Sequence, residues 1–220
     1  MSAEYNVTKR NKVRQISEKA AYDKKTVHGI LDSALLASVG FIQDGQAVVV
    51  PMLYGRDGET IYLHGARKAR VIRLLEDTET ACINITHVDG LIYARSAFNS
   101  SMRYRSATVF GKPRLVDDYD EKVAALRLIT ECTMPGRWDE LREPLSKEVK
   151  MTGVIAVDIE SASAKISSGM PEDEDEDYDI PVWAGVLPLE ATFGELLSDD
   201  RLLNGVVPSA AVKKMVGKKL

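Results

Sequence analysis

Residues 64–76, HGARKARVIRLLE, follow the short apolar run TIYL and carry Arg67, Lys68, Arg70 and Arg73, with Glu76 the single anion. A helix starting near Ala66 or Arg67 would offer free N–H groups and a positive dipole end at that point. Cations in a first turn oppose helix stability unless an anion sits among them. A phosphate would satisfy the N–H groups and the side chains together. Gly65 and Ala66 are small enough to let such a ligand reach the backbone. These residues alone allow two readings, a phosphate seat or a solvated helix face.

A second candidate is SMRYRSATVFG, residues 101–111. In a strand Arg103 and Arg105 share one face, while Tyr104 and Ser106 share the other, which is expected to point inward. A half-exposed strand with a cationic outer face explains the same pattern. Of the histidines, His28 is expected to be structural and His87 exposed at a strand end. His64 adjoins the cationic turn, where it either meets substrate or packs. No His, Cys, Asp and Glu set has metal-ligand spacing. Ser96 and Ser106 lack a nucleophile-elbow motif and an acid–base partner. Cys82 and Cys132 show no redox spacing and read as reduced thiols. Trp138 is expected to pack a loop.

The elements that must position these residues are mostly strands. Apolar positions 27, 30, 31 and 35 make a helical face over 24–36. ALLASVGFIQ and QAVVVPMLYG flank Asp44-Gly45, a hairpin signal. GRDGE turns the chain into TIYLH. Residues 67–77 read as a helix. TACINITHV, GLIYARSAF and YRSATVFGKPRLV read as further strands, and 119–133 as an amphipathic helix. TGVIAVDIE is a late strand, with a shorter one near AKIS. Pro51 implies an edge, a bulge or the end of pairing. Few helices among many strands favour a small antiparallel barrel over a parallel doubly wound sheet.

The chain has 220 residues, a formal net charge of -4, 45% hydrophobic and 28% charged residues, the balance of one globular domain. No apolar run is long enough to span a membrane, and MSAEYNVTKRNKVRQ has no apolar signal core, which points to a cytoplasmic protein. Residues 1–23 are expected to form a basic solvated arm, 24–200 the folded domain and 201–220 a tail. The acidic run 171–179, PEDEDEDYD, is expected to be a solvated loop, without the Gly and spacing of a calcium site. Negative overall charge and the lack of interleaved aromatics disfavour nucleic-acid binding.

The pieces VVVPMLYG, IYLHGARKARVIRLL, VDGLIYARSAF, YRSATVFGKPRLV and PVWAGVLPL occur in that order between about residues 24 and 189. In this order the chain resembles the FMN-binding split-barrel superfamily related to pyridoxamine 5′-phosphate oxidase, in its nitroimidazole reductase-like branch. The resemblance implies a six-stranded antiparallel split barrel that forms a homodimer with FMN at the interface. It implies that Pro51, Met52, Leu53 and Tyr54 line the flavin ring, and that His64, Gly65 and Ala66 follow the ribityl chain. It gives Arg67, Lys68 and Arg70 the phosphate, Arg105 and Ser106 the flavin's polar atoms, and Trp183 a cap. Asn99-Ser100 stand where members of this branch often carry a His pair, so the substrate side departs from theirs. The signature for the vitamin B6 substrate is absent. The implied activity is FMN-dependent oxidoreduction, from a reductant such as NAD(P)H to a small acceptor. The alternative is a flavin or haem carrier or sensor without turnover.

Overall fold

Alternating apolar residues build long antiparallel strands. The computed structural model describes residues 3–220. Its strands are β1 Ala20–Ala21, β2 Leu36–Gln43, β3 Gln46–Asp57, β4 Thr60–Ala66, β5 Ala81–Tyr93, β6 Ser101–Leu115, β7 Thr152–Ser167 and β8 Gly185–Pro188. Its α-helices are α1 Lys24–Leu31, α2 Arg70–Asp77, α3 Tyr119–Thr133, α4 Ser146–Met151 and α5 Ala210–Lys213. The strands pair in the order β7-β4-β3-β2-β5-β6, and β6 pairs back onto β7, so six strands close a barrel. Closure is thinnest between β2 and β5, which pair only from Ser38↔Asn84 to Gly40↔Cys82.

The Asp44-Gly45 hairpin forms as the sequence predicts. Both residues have positive φ, 51° and 76°, the geometry that lets a two-residue turn follow the strand twist. Pro51 lies in the half of β3 that pairs with β2 but not with β4, so it occupies a one-sided edge.

Inside the barrel, Val39, Phe41, Tyr54, Ile61, Leu63, Ile83, Ile85, Val109, Ile155 and Val157 form one core with Val27 and Leu31 of α1 and Ile72 and Leu75 of α2. The Tyr54 hydroxyl donates to the Leu31 carbonyl and ties α1 to the barrel. Helix α3 lies outside. Its Ala125 and Leu126 pack with Val116, Val154, Ala156 and Tyr62. Gly55 makes this approach possible, because a Cβ there would stand 3.0 Å from Leu128 and 3.1 Å from the Ile129 nitrogen.

Several expectations need correction. TACINITHV and GLIYARSAF are one strand, β5, interrupted by a register shift between Val88 and Gly90; the chain leaves it at Tyr93. TGVIAVDIE and AKIS are likewise continuous in β7. Helix α2 begins at Arg70 rather than near 66 or 67. Gly65 and Ala66 pair with Gly153 and Thr152, and the Arg67 N–H donates to the Met151 carbonyl at 2.8 Å, so the backbone stays in the sheet. The facing glycines accommodate Ile72, whose Cγ2 would lie 2.5 Å from a Cβ on Gly153.

The basic N-terminal segment is anchored rather than free. Tyr5 is 6% exposed, and its hydroxyl meets Glu59 at 2.7 Å and His28 at 2.8 Å. One buried aromatic among the charges is enough to seat it. The acidic run is anchored too. The Asp173 side chain is shielded from solvent and pairs with Arg95 at 3.1 Å, and that guanidinium lies 4.8 Å from the Tyr178 ring centroid. The tail folds back: the Leu220 N–H donates to the Ala191 carbonyl at 3.0 Å, and Ala211 lies against Gly136. No helix among the described residues is long and apolar enough to cross a membrane.

Candidate functional site

The end of β4 and the start of α2 are joined by Arg67, Lys68 and Ala69. The Ala69 N–H closes this link onto the Ala66 carbonyl at 2.8 Å. No side chain caps α2, and no acidic residue lies in its first turn. The N–H groups there therefore have no internal anion. Arg67 does: its guanidinium reaches Glu76 at 3.0 Å and 3.2 Å. Among the described residues, the side chains of Lys68, Arg70 and Arg73 have no hydrogen-bond or ion-pair partner. Arg70 and Arg73 are three residues apart and therefore neighbours on one helix face. The group left free to receive an anion is Lys68, Arg70 and Arg73, with Arg67 already partly neutralised.

His64 stands beside this link on β4. Ile61 and Leu63 point into the core, so Tyr62 and His64 take the outer face. The His64 Nδ1 is buried with no partner, and burial pushes the ring's pKa down, leaving a neutral imidazole at pH 7. The other two histidines are engaged. His28 Nε2 meets Tyr5 and lies 3.4 Å from Glu59, and His87 Nε2 meets the Ser33 hydroxyl at 3.0 Å. An orphaned buried nitrogen beside partnerless cations fits a bound organic group that brings both phosphate charge and polar atoms.

The Pro51–Tyr54 stretch divides by strand alternation. Met52 and Tyr54 are inside the barrel, while Pro51 and Leu53 lie on its outer face. Only these last two can offer side chains to a ligand there. With Leu36, Ile42 and Val49 they form an apolar exposed surface, Val49 being 66% and Ile42 61% exposed.

On β6 the inward side is the reverse of the expectation. Ala107 and Val109 are buried in the core, so Arg103 and Arg105 share the inward register and Tyr104 and Ser106 the outward one. Arg105 grips Asp89 through two bonds of 2.9 Å each. That grip holds the Asp89 carboxyl below its usual range and raises the Arg105 guanidinium. Ser106 makes only a long contact, 3.5 Å, to the Lys165 carbonyl. Trp183 is 68% exposed and lies against Tyr93, with ring centroids 5.8 Å apart. Gly185 leaves room for it, since a Cβ there would come within 2.7 Å of the indole.

One chain does not bring these residues together. Ala66, at the cationic link, pairs with Thr152 at the start of β7, whereas Arg105 pairs with Ile166 near its end. At about 3.3 Å per residue, that separation is roughly 45 Å of strand path. His64, Gly65, Ala66, Arg67, Lys68 and Arg70 form one cluster. Arg105, Ser106 and Trp183 lie toward the opposite end. Glu76 and Asp89, the partners that occupy Arg67 and Arg105, were not legible in the sequence. The first is nine residues away, and the second depends on the bulge in β5.

A closed six-stranded antiparallel barrel, split where two strands barely pair and decorated by outer helices, defines the class as a split barrel. The family model described as pyridoxamine 5′-phosphate oxidase matches residues 23–166. The chain belongs to this family of flavin-binding split barrels. Among solved structures it is similar to the flavocytochrome Anf3 from Azotobacter vinelandii, with 34% identity over 96% of this chain and 98% of that one and a TM-score of 0.90. It is similar to the FAD and haem binding protein from Mycobacterium smegmatis, with 35% identity over 90% of this chain and 98% of that one and a TM-score of 0.87. A structure assigned to 5-nitroimidazole antibiotic resistance in Bacteroides thetaiotaomicron shares 26% identity over 67% of this chain and 86% of that one, with a TM-score of 0.55. No match was found among curated protein sequences.

Proposed function

We propose that this chain is a redox protein that binds FAD, with the nucleotide's phosphates on Lys68, Arg70 and Arg73 and the uncapped start of α2. The observation that carries this reading is the set of three partnerless cations beside the buried, unpaired nitrogen of His64. FAD takes precedence over the FMN expected from the sequence because a protein 35% identical over 90% of this chain is described as binding FAD. The flavin, when bound, supplies hydride and single-electron chemistry. The protein's own part is to neutralise phosphate charge, hold the ring against Pro51 and Leu53, and keep His64 neutral. Electrons pass from a reductant such as NAD(P)H to a small acceptor.

The reading includes a homodimer. The apolar outer face of β2 and β3 needs a cover, and a second copy can bring the Arg105 and Trp183 end of one chain to the cationic link of the other. The test is direct. Purified protein should be yellow and release FAD on denaturation. Release of FMN returns the choice to the smaller nucleotide. Failure to bind either flavin removes the reading. Mixing the loaded protein with NAD(P)H without oxygen, then adding an acceptor, separates an enzyme from a carrier: the enzyme bleaches and recolours.

A second reading follows from His64 itself. Both of the most extensively aligned neighbours described above carry haem or a cytochrome name, and His64 is the one histidine here with a buried ring nitrogen lacking a partner. A neutral imidazole is the form that ligates iron. His64 would then hold the haem iron, and His64→Ala should remove a Soret band that His28→Ala leaves in place. A Soret band unchanged in His64→Ala excludes this assignment.

A further inference from the structure

We infer that the N-terminal loop, residues 7–17, is a second anion site built to take an organic diphosphate. An open cavity of about 680 Å³ is lined by Val7, Thr8, Lys9, Lys12, Val13, Arg14 and Ser17. That volume lies in the range of small-molecule sites. Among the described residues, the side chains of Lys9, Lys12 and Arg14 have no hydrogen-bond or ion-pair partner, although the chain as a whole is acidic. The fourth cation of the stretch behaves differently. Arg10 turns back onto the barrel, 3.7 Å from Glu160 and 5.7 Å from the Phe110 ring centroid. One cation fastens the loop while the other three face the cavity.

The loop is a fixed structure. Asn11 is 3% exposed and satisfied on both sides of its amide. Its Nδ2 donates to the Ala162 carbonyl at 2.9 Å and the Asn6 carbonyl at 3.0 Å, and its Oδ1 accepts from the Thr8 N–H and hydroxyl. The Val13 N–H donates to the Tyr22 hydroxyl at 2.9 Å, and Lys165 donates to the Gln15 carbonyl at 2.9 Å. Ile16 is held at φ 52° and ψ 58°, a left-handed conformation that β-branched residues avoid. Solvated tails do not hold such a residue. Like charges held together by a rigid loop repel one another unless an anion joins them. Three cations match the two to three charges of a diphosphate. The Ser17 hydroxyl adds a donor, and Val7 and Val13 give an apolar wall for the organic part.

Calorimetric titration with sodium pyrophosphate at low salt tests the site, using flavin-saturated protein and the Lys68→Ala, Arg70→Ala double variant. In both, pyrophosphate is expected to bind at one site per chain and more tightly than orthophosphate. That independence separates this site from the flavin reading, whichever way the latter falls. Lys12→Ala with Arg14→Ala is expected to weaken pyrophosphate binding at least tenfold without lowering the unliganded melting temperature, because both side chains are exposed and like-charge repulsion is relieved. Lys12→Arg keeps binding. Absence of pyrophosphate binding, or binding unaltered in the Lys12→Ala, Arg14→Ala protein, overturns the proposal. Equal affinity for orthophosphate overturns the diphosphate assignment.

Discussion

Glu76 sets how many of the four cations after β4 remain free for an anion. It claims Arg67 and leaves Lys68, Arg70 and Arg73. An exposed pair of this kind is worth about 0.2–1 kcal/mol. Glu76→Gln should therefore strengthen flavin binding by up to about fivefold, measured by quenching of flavin fluorescence; weaker binding would mean that Glu76 orients Arg67 for the ligand. Lys68→Ala with Arg70→Ala should weaken binding at least tenfold, since charge-assisted hydrogen bonds contribute roughly 1.5–3 kcal/mol each. Unchanged affinity would exclude the cationic link as the phosphate seat. The cations were legible in the sequence because their density in one turn needs an explanation. Their division into occupied and free was not, because it depends on how α2 leaves the sheet. Met52 and Tyr54 show the same limit. Their stretch was legible as a strand, but only the observed alternation shows that they face the core.

Among the elements, β6 and β7 carry the closure of the barrel, and Gly111 shows how tightly. A Cβ at this position would lie 2.0 Å from the Asp158 carbonyl oxygen, where the register shifts after Phe110. Gly111→Ala should destabilise the fold by about 3 kcal/mol, the upper end for overpacking, read from urea unfolding; a loss under about 1 kcal/mol would mean the strands slide apart easily. The acidic run is the other instructive element. Its composition reads as a solvated loop, but Asp173 and Tyr178 clasp Arg95 from the loop after β5. Arg95→Ala should open residues 170–182 to limited proteolysis, and an unchanged digestion pattern would contradict the clasp. Hairpins and amphipathic helices were legible because local periodicity and turn residues determine them. The clasp joins residues 78 positions apart and has no local signature.

At the scale of the whole molecule, histidine burial links stability to pH. His28, His64 and His87 are all held below their ordinary pKa, chiefly by burial. Below about pH 6.5 the unfolded chain takes up protons that the folded chain refuses, so stability is full above that pH and falls as pH drops toward the lowered values. The melting temperature of flavin-free protein should be flat above pH 7 and decline from pH 6.5 to 5, less steeply in His64→Gln; equal slopes would show that His64 titrates normally. The separation of the two site clusters along β7 also belongs to this scale. It could not be read from sequence, because a linear order of motifs says nothing about which end of a strand each one occupies. Leu53→Glu with Val49→Glu should convert a dimer to a monomer in light scattering and weaken flavin binding together with it. The most direct measurement is the cofactor itself: denature purified protein, identify the released chromophore by chromatography, and repeat with Lys68→Ala, Arg70→Ala. FAD released from the parent protein and missing from the variant is the expected result. A parent protein that takes up no flavin, or a variant that retains it fully, contradicts the account.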